Sequence, residues 1–305
     1  MSVIEVHGVH KTYRRLRKPP ERALNGLDLE VPEGGVFGFL GPNGSGKTST
    51  IRSLLGLIRT DAGEMRVLGR EVPRELPAVV SSIGALVETP QFFPAFSGRV
   101  NLKLLAQTAG VPAARVEECL EIVGLRDRAN DKFKGYSLGM KQRLGIAAAL
   151  LKRPRLLILD EPSNGLDPAG IRAVREMLKN LGSQPGTTVF LSSHLLGEVQ
   201  QVCDRVAILA KGRCVAGGRV SDVLAARSST GFRVRLDELA KGRDVLTEAG
   251  FTVADADGAL HLENVAEPAA VTRALADKGL YLSELSPVAA DLETVFLELT
   301  QEEQR

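Results

Sequence analysis

Gly41-Pro42-Asn43-Gly44-Ser45-Gly46-Lys47-Thr48 is the stretch of this chain whose residue types and spacing could do chemistry on a phosphate. Its glycines let successive backbone N–H groups converge on phosphate oxygens with no Cβ in the way. Lys47 can reach β- and γ-phosphates, the Thr48 hydroxyl can bind Mg²⁺, and Ser49 follows in the same turn. A Gly-x-x-x-x-Gly-Lys-Thr pattern carries this meaning when it joins a strand to a helix. Here the apolar run Val36 to Leu40 precedes it, and an amphipathic stretch from Lys47 to about Leu57 follows. A helix opening at Lys47 would aim the positive end of its dipole at the same anion. A turn that only capped a helix would not need Lys-Thr at its end, so the octet implies a bound nucleoside triphosphate.

A phosphate loop also needs carboxylates on a neighbouring strand. Arg155-Leu156-Leu157-Ile158-Leu159-Asp160-Glu161 is an apolar run suited to a central parallel strand and ends in two of them. Asp160 would bind Mg²⁺ through water, and Glu161 would polarise the attacking water as general base. Alone, an acidic strand end says little; paired with the loop at Gly41 it completes a hydrolytic site.

Three further segments narrow the reading. Tyr136-Ser137-Leu138-Gly139-Met140-Lys141-Gln142-Arg143 opens an Ala/Leu-rich helix reaching Leu151. Pro162 to Pro168 contains Asp167, and Ser192-Ser193-His194 follows a second β-type run, Thr187 to Leu191. In order and spacing these motifs resemble the nucleotide-binding subunit of ATP-binding cassette (ABC) transporters over residues 3–225. The Ser-Leu-Gly-Met-Lys-Gln variant looks like the branch that energises ABC-2-type exporters of drugs, antibiotics or lipid-like compounds. The resemblance implies ATP and Mg²⁺ as cofactors and ATP hydrolysis as the activity. It implies Tyr13 stacked on adenine, as an aromatic face allows, although a tyrosine ending a strand needs no ligand. It further implies that Ser137 and Gly139 meet the γ-phosphate held by an opposite subunit, that Asp167 links the two sites, and that His194 donates to the γ-phosphate. Two chains, identical or homologous, would then sandwich two ATP molecules.

One position departs from the family pattern. In Ile83-Gly84-Ala85-Leu86-Val87-Glu88-Thr89-Pro90 a glutamate replaces the usual glutamine. Glu88 could bind the metal but adds negative charge beside the triphosphate; Gln91 is near enough to serve instead, and a solvated loop is the plain reading. Downstream, Phe92, Phe93 and Phe96 gather in an apparent loop, either as a socket for a helix of a membrane subunit or as packing beneath it. The stretch 11–22 holds six basic residues and Pro19-Pro20; it reads as a solvated insertion or a hairpin tip facing anionic lipid.

The 305 residues allow one large domain or about two ordinary ones, and no apolar run approaches the ~18 residues of a membrane span. No N-terminal signal segment is expected, and Cys119, Cys203 and Cys214 lack metal-ligand spacing and read as reduced, packed thiols. Net charge is +2, yet residues 231–305 hold 7 basic against 15 acidic residues. With Ser228 to Gly231 at the change, this places an ABC ATPase domain at 1–228, with a helical subdomain at about 90–151, and an accessory domain at 229–305. In the latter, β-α-β-β-α-β order suggests a ferredoxin-like unit, followed by a last helix over 291–299; dimer support or regulation is its expected role. The fold class is therefore α/β, a P-loop NTPase with a helical insertion, plus a small α+β domain. The expected partner is an integral membrane permease of ABC-2 type, with the chain cytoplasmic and peripheral on the inner face of the cell membrane. The alternative is a soluble ABC-type ATPase acting on nucleic acid or ribosomes. Its usual second cassette or coiled-coil insertion is not in this sequence, so no nucleic-acid partner is expected.

Overall fold

The computed structural model describes residues 1–14, 19–88, 90–225, 231–263, 265, 267–288 and 292–296. The chain divides into two compact units, which meet in sequence between residues 220 and 221. The boundary expected near residue 228 lies in 226–230, outside the described residues.

In the first unit β1 (Ser2–Tyr13) pairs antiparallel with β2 (Glu21–Pro32). Of the basic stretch between them, residues 15–18 lie outside the described residues. β3 (Gly35–Leu40) leads through the glycine-rich loop into α1 (Lys47–Leu54). That helix stops short of the expected Leu57 because Gly56 takes φ +67°, the left-handed conformation that ends helices. β4 (Ala62–Val67) and β5 (Arg70–Glu71) complete a sheet of order β2-β1-β4-β5.

After β6 (Ile83–Leu86) come three helices: α2 (Gly98–Thr108), α3 (Ala113–Ile122) and α4 (Leu138–Leu150). β7 (Leu156–Asp160), α5 (Pro168–Gly182), β8 (Thr188–Ser193), α6 (Leu196–Val202), β9 (Arg205–Ala210) and β10 (Arg213–Arg219) follow. The second sheet runs β10-β9-β3-β8-β7-β6, parallel apart from β10. β7 and β8 are buried at every position, the expected state of strands covered on both faces. Phe190 of β8 lies 5.9 Å from the Phe37 ring and 5.3 Å from Phe39 of β3. These aromatic contacts set the two strands whose C-terminal ends carry the phosphate loop and Ser192-Ser193-His194.

α7 (Val220–Ala225) begins at the boundary, and the second unit continues with β11 (Gly231–Leu236), α8 (Leu239–Glu248), β12 (Thr252–Ala256), β13 (Ala259–Glu263), α9 (Pro268–Ala276) and β14 (Leu282–Val288). The sheet runs β12-β13-β11-β14 with all neighbours antiparallel, the order of a ferredoxin-like unit. Its β12–β13 hairpin turns at Asp257 (φ 50°) and Gly258 (φ 67°), the paired positive values of a type I′ turn. Leu246, Leu260, Leu262, Val271 and Leu275 form its core. Of the expected last helix, residues 292–296 are helical.

Candidate functional site

The loop from Gly41 to Gly46 is tight enough to exclude side chains at specific points. A Cβ on Gly41 would lie 2.3 Å from Ser45 Oγ and 2.7 Å from the Leu209 carbonyl. Gly46, at φ +109°, would bring one to 2.5 Å from the Ala23 carbonyl. Ser45 is buried and its hydroxyl has no hydrogen-bond partner among the described residues. Lys47 is only 6% exposed and folds back over the loop, its Nζ donating to the Gly41 carbonyl at 2.7 Å and to the Pro42 carbonyl at 3.3 Å.

Above this loop opens a cavity of about 470 Å³, a size suited to a small-molecule ligand. Pro42, Asn43, Gly44, Gly46, Lys47, Thr48 and Ser49 line it, joined by Tyr13, Glu161 and His194. Gly41 and Ser45 are not part of its lining. The Tyr13 hydroxyl is 3.2 Å from Ser49 Oγ, and Lys11 Nζ is 5.7 Å from the ring centroid.

Asp160 ends β7 directly beside Ser192 of β8 in the parallel register. The Ser192 hydroxyl donates to Asp160 Oδ1 at 2.5 Å and accepts the Glu161 N–H at 3.0 Å. Glu161 takes φ 50°, a conformation that costs a non-glycine residue about 1–2 kcal/mol. Its carboxylate is shared: Oε1 lies 3.3 Å from Lys47 Nζ, and Oε2 is 2.7 Å from His194 Nδ1. One carboxylate thus joins the phosphate loop to the residue just beyond β8.

A second cavity, of about 320 Å³, contains Glu88, Asp160 and Glu161 with Leu138, Gln142, Asn164 and Gly165. Glu88 is paired with Arg52 of α1. Gln91 is exposed. Ser137, Gly139 and Asp167 line neither cavity. Ser137 caps α4 by accepting the Met140 N–H at 3.3 Å, and Asp167 caps α5 by accepting the Gly170 N–H at 3.1 Å. Ser192 and Arg52 are absent from the sequence-based candidates. Ser192 had a signal in its place within Ser-Ser-His; Arg52, on a helix face, had none.

Residues 24–164 match the ABC transporter family. The ABC transporter ATP-binding protein YhcH of Bacillus subtilis (strain 168) is 39% identical over 302 residues, covering 99% of this chain and 97% of its own. The chain belongs to the ATP-binding proteins of ABC transporters. The bacitracin transport ATP-binding protein BcrA of Enterococcus faecalis is 35% identical over 97% of this chain and 96% of its own. A solved ATP-binding subunit of an ABC transporter superposes with a TM-score of 0.63 at 28% identity, over 73% of this chain and 92% of that one.

The donors around the cavities of this ABC ATPase fit Mg²⁺. Thr48 and Asp160 offer hard oxygen ligands, the preference of that ion. Among the described residues no group of three or more His, Cys, Asp or Glu could hold a metal alone.

Proposed function

We propose that this chain hydrolyses ATP to drive an ABC-2-type export permease, working as a pair of cassettes at the inner face of the cell membrane. The observation that carries the hydrolytic part is the shared Glu161 carboxylate, bonded to Lys47 on one oxygen and to His194 on the other. A base so placed lines the phosphate cavity with its orientation fixed from two sides.

In this reading Tyr13 stacks on adenine, and the backbone N–H groups from Gly41 to Ser49 hold the phosphates. Lys47 turns from its loop carbonyls to the β- and γ-oxygens. Mg²⁺, when bound, neutralises charge on those oxygens; Thr48 and Asp160 would hold it. Glu161 takes a proton from the water whose oxygen bonds to the γ-phosphorus. The bond from that phosphorus to the β–γ bridging oxygen breaks, leaving ADP and inorganic phosphate. His194 keeps Glu161 oriented and donates to the γ-phosphate. Ser137 and Gly139 of each cassette close on the nucleotide of the other, with Asp167 between the sites, so loss of the γ-phosphate opens the pair.

The permease supplies the membrane path: no helix among the described residues is long and apolar enough to cross a bilayer. Phe93 is 61% and Phe96 43% exposed, with ring centroids 5.4 Å apart, and Val100, Leu104 and Leu105 of α2 are also exposed. Phe92 packs edge-on to Phe133 at 5.1 Å. The aromatic loop is thus two outward anchors on one inward foot, a surface suited to a helix of the membrane subunit. The name of BcrA, a bacitracin transport protein similar along the whole chain, supports an antibiotic, drug or lipid-like cargo.

The test is Glu161→Gln. This variant is expected to bind ATP, lose nearly all turnover, and accumulate as a nucleotide-locked dimer in size-exclusion chromatography. Turnover at the unmodified rate would remove Glu161 from the role of base.

A further inference from the structure

Glu88 brings a negative charge to the rim of a site shaped for a polyanion, and α1 supplies its counter-charge. The residue takes φ +69°, a left-handed conformation rare for a side chain of this kind, and its carboxylate pairs with the Arg52 guanidinium. Arg52 sits on the helix that Lys47 opens and lines the same cavity as Lys47 and Thr48. Glu88 lines the adjoining cavity with Asp160 and Glu161. Each of these three carboxylates has its own partner: Ser192 for Asp160, Lys47 and His194 for Glu161, and Arg52 for Glu88.

We infer that Arg52 is a positioning residue that withholds Glu88 from the metal, so that the pair stands in for the neutral glutamine of the family pattern. This rests on the reading that the Gly41–Thr48 loop binds ATP with Mg²⁺. The side chains are 37% and 64% exposed, so the ion pair itself adds little to folding. Its consequence lies in the ligand. A free carboxylate at that rim would repel the triphosphate when no cation is present, and would attract a divalent cation when one is. Held by Arg52, it does neither.

The measurement is the Kd of a non-hydrolysable ATP analogue for the full chain, once with EDTA and once with saturating Mg²⁺, the ratio giving the tightening due to the metal. Glu88→Gln should leave the Kd in saturating Mg²⁺ within about twofold of the parent, because the carboxylate it removes does not serve the metal; the Arg52 charge it frees tightens binding in EDTA. Arg52→Gln should raise the ratio about three- to fivefold, the scale of an exposed charge pair, mainly by weakening binding in EDTA. The double variant should return to the parent value, and Arg52→Lys, which keeps the charge, should stay near it. A several-fold weaker Kd in Mg²⁺ for Glu88→Gln would overturn the proposal, since Glu88 would then already serve the metal. So would an Arg52→Gln ratio no higher than that of the double variant. Melting curves of each variant show whether it is folded. If the parent fails to bind the analogue, or Lys47→Ala binds it equally well, the nucleotide reading itself falls; a failed ratio with intact Lys47-dependent binding removes only the role of Arg52.

Discussion

Ser192 and Asp160 are cross-strand partners whose side chains meet at 2.5 Å, and the same hydroxyl also receives the Glu161 amide at 3.0 Å. One buried hydroxyl therefore fixes the Asp160 carboxylate and the Glu161 backbone together at the end of β7. Ser192→Ala should leave Asp160, only 8% exposed, without its hydroxyl donor. The expected cost is about 1.5–3 kcal/mol of stability, the range for a hydrogen bond to a charged group. Turnover should fall more than KM rises, because the damage is to orientation of the reacting groups. Chemical denaturation and steady-state ATPase kinetics check both. An unchanged midpoint with unchanged kcat would show that Ser192 is a bystander.

How much of this site the sequence discloses depends on whether the signal is local. The loop that leads to Lys47 and Thr48 follows an apolar strand, Asp160 ends one and His194 follows another, and parallel sheets gather such ends along one edge. Ser137 and Asp167 are legible as helix caps as well, the latter because Asp-Pro places a cap before a first-turn proline. The contacts of Glu161 with Lys47, and of Arg52 with Glu88, join side chains far apart in sequence, where no periodicity speaks. The phenylalanines at 92, 93 and 96 left two readings open because spacing alone does not separate a packed ring from an exposed one: Phe92 is packed, and Phe93 and Phe96 are exposed. In the second unit, Asp257-Gly258 marks its hairpin plainly, since paired positive φ values have few sequence solutions.

Asp61 ties the end of β1 in place, accepting the Thr12 N–H at 2.6 Å and the Lys11 ammonium at 3.2 Å. The Thr12 amide foremost, then Lys11, holds its carboxyl below the usual carboxylate range, against a smaller opposing effect of burial. A carboxyl depressed in the folded state contributes stability that is complete above its unfolded pKa of about 3.9. That contribution is lost as pH falls through the lower folded value, so neutral and mildly acidic solutions should show no change. Titration of the Asp61 carboxyl by NMR is expected to give a midpoint below the ordinary Asp value. A midpoint at or above that value would refute the assignment.

Cys203 lies at the end of α6, buried, where Gly38 of β3 leaves just enough room for its sulfur. Burial, with the neighbouring Asp204 adding to it, raises the thiol well above its ordinary pKa. Because the thiolate is the reactive form, iodoacetamide should modify Cys203 at least about a hundredfold more slowly in the native protein than in urea. Mass spectrometry of the alkylated peptides measures this directly. Rapid native labelling would mean that α6 opens readily, or that the thiol is not packed against β3.

Tyr136 immediately precedes Ser137, and its buried hydroxyl donates to the Arg128 carbonyl at 2.8 Å. The same oxygen faces Gly98, the first residue of α2, so closely that a Cβ there would lie 2.2 Å from it. Removing the hydroxyl in Tyr136→Phe should cost about 1 kcal/mol, the worth of an ordinary internal hydrogen bond. Gly98→Ala should cost about 1–3 kcal/mol, since the phenol must shift to admit the methyl. The two changes should not add. With the hydroxyl gone, the nearest obstacle to an alanine Cβ is the ring carbon Cζ at 3.0 Å, a contact that a small movement relieves. Gly98→Ala should therefore be less damaging in the Tyr136→Phe background, by about 0.5 kcal/mol or more, which a double-mutant cycle of denaturation midpoints resolves. Full additivity would show that the two residues do not share this contact, and that the start of α2 is placed without reference to the residue that leads into α4.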